Sequence, residues 1–244
     1  MKNMTGAALA AALLLLAGCG DGDGAANVNM QGPLTQIPAP NGGDWTQVVS
    51  RTPEGGTRIG NPNAPVKLVE YGSLTCPACK AFSDTGTQAL RDTYVRSGQV
   101  SWEFRHLIIH GAADVVLAML SDCQPQTAFF RTIEDLYEQQ TDILNGFEES
   151  EQRQIGAMPQ GQQIPAAARA MEVGGFFAQR GLPEGRQNQC LANQQAVQQL
   201  ANNTNRAFSQ EGVTGTPTFF LNGEKLEVSN WASLEPLLRE RIGG

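Results

Sequence analysis

Val66-Lys67-Leu68-Val69-Glu70-Tyr71-Gly72-Ser73-Leu74-Thr75-Cys76-Pro77-Ala78-Cys79 is the stretch that decides the fold. Asn61-Pro62-Asn63-Ala64-Pro65 before it and Gly72-Ser73 within it are turn signals, so residues 66–71 are predicted as a strand. Strand side chains alternate between faces, which puts Glu70 on the apolar face of Val66 and Leu68. After Cys79, Phe82, Ala89, Leu90 and Tyr94 recur at helical spacing and Gly98 supplies a stop. Cys76 therefore stands where a helix begins. Unpaired backbone N–H groups and the positive end of the helix dipole favour a thiolate there, and the thiolate is the reactive form.

Further along, Val100, Trp102 and Phe104 alternate with Ser101, Glu103 and Arg105, which predicts a second strand and completes a parallel strand–helix–strand unit. The next hundred residues or so have a helical period. Ala113, Val116, Leu117, Leu120 and Cys123 share one face, and Phe129, Ile133, Leu136 and Tyr137 share another. Further helices are predicted over 166–178 and 187–208, with loops near 156–164 and 181–186. The chain then returns to strands: Thr218 to Leu221, the hairpin signal Asn222-Gly223, and Glu224 to Val228. A last helix carries Leu234, Leu237, Leu238 and Ile242, with Pro236 tolerated in its first turn.

With 244 residues and 41% apolar content the chain can bury a substantial core, and a formal charge of −7 without a basic cluster argues against nucleic acid as a partner. Lys2 followed by the apolar run 6–17 is too short to span a membrane and reads as an export signal. Leu16-Ala17-Gly18-Cys19 resembles the lipobox of bacterial lipoproteins, which implies cleavage after residue 18, lipidation of Cys19 and anchoring to a bacterial membrane on the periplasmic side. Residues 19–56, rich in Gly, Pro, Asn and Asp, are expected to form a flexible tether. Trp45, Val48 and Val49 are the exception there, candidates for an added edge strand.

Once Cys19 is assigned to lipid, Cys76, Cys79, Cys123 and Cys190 remain, an even number in an exported chain. Three pairings are open. Proximity across one helical turn favours Cys76 with Cys79, which leaves Cys123 with Cys190. A zinc site would need a second closely spaced cysteine pair, and none is present, so no metal and no cofactor are expected.

Cys76-Pro77-Ala78-Cys79 and Gly215-Thr216-Pro217-Thr218-Phe219-Phe220, separated by helices, together resemble the DsbA-like thiol:disulfide interchange proteins. The resemblance runs from about residue 60 to residue 242. It implies an α/β thioredoxin-like fold with an inserted all-helical domain: the thioredoxin-like part over 57–107 and 206–244, and the insertion over 108–205. It also implies that Cys76 is the exposed attacking cysteine, Cys79 its buried partner, and Cys76–Cys79 the redox disulfide. Pro217 would be the cis-proline beside them, Thr216 the residue whose backbone meets substrate, and Glu70 the buried acid beneath the pair, able to relay a proton to or from Cys79. Similar second pairs in part of the family add to the case for a structural Cys123–Cys190 bridge.

The implied partners are unfolded or partly folded exported proteins and a membrane redox partner, with the protein acting as a monomer. One departure concerns direction: the oxidising members carry histidine just before the second cysteine, where this chain has Ala78. A less stabilised Cys76 thiolate would make a weaker oxidant. A reductase or isomerase of the same fold and a Cu(I)-carrying metallochaperone are the alternatives.

Overall fold

A computed structural model describes residues 32–145 and 147–243. The expected signal peptide, the lipidation site Cys19 and the start of the tether lie outside the described residues. The strands are β1 (Val49–Arg51), β2 (Thr57–Gly60), β3 (Val66–Gly72), β4 (Val100–His106), β5 (Thr218–Leu221) and β6 (Glu224–Lys225). They form one sheet in the order β1-β2-β4-β3-β5-β6, in which only β3 and β4 run parallel. Between these two, α1 (Pro77–Phe82) continues through wider helical turns to Val95 and makes the crossover.

The insertion is helical throughout its described residues: α2 (Ala112–Asp122), α3 (Phe129–Glu138), α4 (Gln140–Asn145), α5 (Glu149–Gly156), α6 (Gln160–Ala170), α7 (Gly174–Gln179), α8 (Glu184–Leu191) and α9 (Gln194–Gln210). It shares one hydrophobic core with the sheet. Phe130 packs against Trp102 with ring centres 4.6 Å apart, and Phe129 meets Phe104 at 6.1 Å. The last helix, α10 (Trp231–Gly243), packs Trp231 against Phe82 and Tyr94. No helix among the described residues is long and apolar enough to cross a membrane.

Three expectations change. The tether is shorter than 19–56, because the chain is packed from Leu34: Leu34 lies against the core, the Ile37 N–H donates to the Ser97 carbonyl at 2.8 Å, and buried Trp45 donates to the Ile37 carbonyl at 2.8 Å. Gly98, at φ +77°, permits this, since a Cβ there would lie 2.5 Å from Trp45 Nε1. The expected edge strand forms as β1 and takes in only Val49 of the three, Trp45 lying in a 3-10 turn that ends at Val48.

Secondly, the predicted boundary between 205 and 206 falls inside α9, which runs on to Gln210. Thirdly, the expected loops are shorter, because α6 already begins at Gln160 and α8 at Glu184, while the helix predicted over 166–178 breaks near Glu172, where φ is +51°. Ser101 and Glu103 of β4, the strand between β2 and β3, are buried. Glu103 is matched there by Arg105 Nε at 2.6 Å and the Thr52 hydroxyl at 2.8 Å. The β5–β6 hairpin turns on Asn222 and Gly223, both at positive φ as that dipeptide predicts, although β6 keeps only two residues.

Candidate active site

The sheet ends β3 at Gly72, and the next four residues carry the chain across to α1. Gly72 is needed for close approach: a Cβ there would stand 2.5 Å from Phe104 Cε2 and 3.2 Å from the Tyr137 hydroxyl oxygen. The connecting loop is held by polar side chains from the insertion. Asp114 of α2, itself buried, accepts from the Ser73 and Thr75 hydroxyls and from the Ile109 and His110 N–H groups, each at 2.8 Å. Since Thr75 gives its proton to Asp114, the contact of 2.7 Å with His110 Nδ1 has the imidazole N–H as donor. Gln140, at the start of α4, donates both amide protons, to the Leu74 carbonyl at 2.9 Å and the Cys76 carbonyl at 3.1 Å.

Cys76 caps α1, with extended φ/ψ of −79° and 123° and Pro77 in the first turn. The structure holds Cys76 and Cys79 as free thiols. Cys76 is 7% exposed and Cys79 is 0% exposed. Cys76 is thus more covered than the family resemblance implies, because the loop before Pro217 lies against it. Its Sγ donates to the Thr216 carbonyl at 3.4 Å. The Thr216–Pro217 bond is cis.

Electrostatics separate the two thiols. The Cys76 thiol is lowered to about 5, first by a hydrogen bond from the Cys79 thiol; burial opposes this, and the Thr216 hydroxyl and the Cys79 and Ala78 backbone N–H groups add to it. The Thr216 hydroxyl is buried and has no partner while Cys76 is protonated, so it is free to donate to the thiolate. Cys79 is pushed the other way, by burial above all and then by its bond to Cys76 and the nearby Glu70 charge.

Glu70 lies beneath the pair, 1% exposed, as strand parity predicts. Burial raises its carboxyl to about 8, against a lowering contribution from the Trp102 indole N–H, which donates to Oε2 at 3.1 Å. Tyr137 of α3 completes the floor. Its hydroxyl donates to the Ser73 carbonyl at 3.2 Å, and burial, then Cys79 and Glu70, raise its pKa well above the ordinary phenol value.

The residues singled out by sequence separate into two places. Glu70, Cys76, Cys79, Thr216 and Pro217 converge at the start of α1. Cys123 and Cys190 form a disulfide, with Cα atoms 6.4 Å apart, that ties the end of α2 to α8 inside the insertion. Asp114, Gln140, Trp102 and Tyr137 carried no motif. Trp102 had a partial signal, since its parity in β4 matches that of the apolar face.

The Thioredoxin family model matches residues 52–240. A Rickettsia prowazekii protein assigned by name to the protein-disulfide oxidoreductases is 25% identical over 187 residues, which are 75% of this chain and 60% of that relative's length. The crystal structure of a protein-disulfide isomerase from Novosphingobium aromaticivorans is similar at a TM-score of 0.71 and 29% identity, covering 76% of this chain and 96% of that one. Wolbachia pipientis alpha-DsbA1 has the same fold at a TM-score of 0.61 and 20% identity, covering 85% and 94% respectively.

Proposed function

The chain belongs to the Thioredoxin family whose model covers residues 52–240, and from that premise we propose that it is an exported thiol:disulfide oxidoreductase that passes a Cys76–Cys79 disulfide to protein thiols. The observation that carries this is the unequal pair: Cys76 lowered to about 5 and touching Thr216, Cys79 fully buried and raised. A substrate thiolate attacks Cys76 Sγ, forming a mixed disulfide and breaking the bond to Cys79, which takes the electron pair and a proton from the Glu70 carboxyl. A second substrate thiolate then attacks the substrate sulfur, and Cys76 leaves as a thiolate. The substrate has lost two electrons and the protein holds them as a thiolate and a thiol, until a membrane redox partner accepts them.

The low Cys76 value supports the donor direction, because a stabilised leaving thiolate favours the reduced protein. Ala78 removes one source of that stabilisation, and the hydrogen bonds from Cys79, Thr216 and the α1 backbone compensate for it. Thr216 belongs to the substrate surface in this scheme, Cys123–Cys190 is a structural bridge, and Cys19 carries the lipid anchor. The clients are unfolded or partly folded exported proteins, met by a single copy of the chain.

Oxidised protein mixed with a reduced, denatured client is expected to form client disulfides stoichiometrically, and Cys76→Ser to form none. Equal yields from the two would overturn the proposal. The isomerase reading is favoured by the Novosphingobium likeness. Reduced protein that rescues a scrambled client faster than oxidised protein oxidises a reduced one would select it. Membrane fractions that retain Cys19→Ala as well as wild type would remove the lipid anchor.

A further inference from the structure

Trp102 is a buried indole whose N–H has one acceptor, Oε2 of Glu70. The two residues share a sheet face on adjacent strands: Trp102 pairs with Leu68, and Glu70 pairs with Phe104 two residues further on. The indole therefore reaches along the strand direction to meet the carboxyl. Phe130 of α3, also buried, packs against the indole with ring centres 4.6 Å apart and planes tilted by 52°, and limits its rotation. Among the described residues no other side chain donates to the Glu70 carboxyl, and none forms an ion pair with it. The titratable groups that face it are Cys79 and Cys76 at the start of α1 and Tyr137 on α3, while Phe104 and Phe219 flank it in the sheet.

An indole N–H only donates. It therefore binds carboxylate more strongly than carboxylic acid, and when Glu70 is protonated it favours Oε2 as the carbonyl oxygen and Oε1 as the O–H. We infer that Trp102 is a positioning residue for the proton transfer between Glu70 and Cys79, fixing which carboxyl oxygen carries the proton and the pH at which it leaves. This rests on the oxidoreductase proposal and adds to it the element that sets the relay's pH range, supplied by β4 and braced by the helical insertion.

The step to measure is closure of a Cys76–glutathione mixed disulfide. Cys79 attacks Cys76 Sγ, its proton passing to the Glu70 carboxylate, and glutathione leaves with the electron pair. Release is followed against pH for wild type, Trp102→Phe, Glu70→Gln and the double variant. Trp102→Phe is expected to move the Glu70-dependent inflection upward by about one pH unit, the size of one lost hydrogen bond to a charged group. Glu70→Gln abolishes the inflection, and adding Trp102→Phe then changes nothing further. An unmoved inflection in Trp102→Phe, or an equal change on the Glu70→Gln background, would overturn the inference.

A second measurement needs no substitution at 102. The Trp102 indole N–H resonance of wild type, followed by NMR, is expected to titrate with Glu70 and to stay fixed in Glu70→Gln. A resonance that ignores pH in wild type would also overturn it. Failure of wild-type Cys79 to release glutathione at any pH would strike the oxidoreductase proposal instead, and the indole titration would still decide the role of Trp102.

Discussion

Cys76 Sγ lies 3.4 Å from the carbonyl oxygen of Thr216, although the two residues are 140 positions apart in the chain. The reactive sulfur is thereby covered on one side by the residue preceding Pro217, while the Thr216 hydroxyl adds to its stabilisation as a thiolate. In the proposed reaction this contact sets the attacked sulfur beside the backbone that would meet the substrate.

The reduced protein should carry a Cys76 thiolate at neutral pH. Thiolate absorbance near 240 nm is expected to titrate with a midpoint near 5. Iodoacetamide at pH 7 should modify Cys76 and spare Cys79, as peptide mass mapping would show. Thr216→Val removes a hydroxyl donor and should raise that midpoint by about one unit.

Glu70 makes stability depend on pH with a definite sign. Its carboxyl is raised from 4.5 to about 8 in the folded state, so between those values the native state holds a proton that the unfolded state has released. The Glu70 contribution to stability therefore falls as pH rises through this window and is flat below it, while the lowered Cys76 thiol adds an opposite slope that wild type and Glu70→Gln share. Glu70→Gln should remove the fall, gaining a few kcal/mol over wild type at pH 8 relative to pH 4. Urea unfolding of both proteins at a series of pH values checks it, and parallel curves would refute it.

Asp114 ties the loop ahead of Cys76 to the turn before α2 through four hydrogen bonds, from the Ser73 and Thr75 hydroxyls and from the Ile109 and His110 N–H groups. Asp114→Ala leaves buried donors unsatisfied and should cost about 3 kcal/mol or more in chemical denaturation. The Cys76 alkylation rate should change with it, since Ser73 and Thr75 fix the approach to α1.

The Cys123–Cys190 bridge closes a segment 67 residues apart in sequence and belongs to the insertion core. Its loss in Cys123→Ser/Cys190→Ser should cost about 4 kcal/mol by chain entropy, on the order of 10 °C in Tm. Client oxidation below the new midpoint should continue, because Cys76 and Cys79 are elsewhere.

Much of the site was legible from short-range pattern. Strand parity placed Glu70 beside Val66 and Leu68, and it is buried there; Asn222-Gly223 marked a hairpin, and both residues take positive φ. Alternation gave no hint that Ser101 and Glu103 are buried, Glu103 being matched by Arg105 and by Thr52, 51 positions away. It also gave no hint of Gln140, whose two amide protons go to carbonyls more than sixty positions away.

By itself the sequence determined the parallel unit, the place of Cys76 at a helix start, the side of the strand on which Glu70 falls and the helical character of the middle of the chain. Each follows from a period of two or 3.6 residues or from the chemistry of a neighbouring turn, information carried within about one element. Only the tertiary structure decided that the Trp102 indole reaches Glu70, that Tyr137 and Gln140 hold the loop before Cys76, and that residues from Leu34 onward belong to the packed body. Those contacts depend on which faces bury one another across the shared core, and no local spacing encodes that choice.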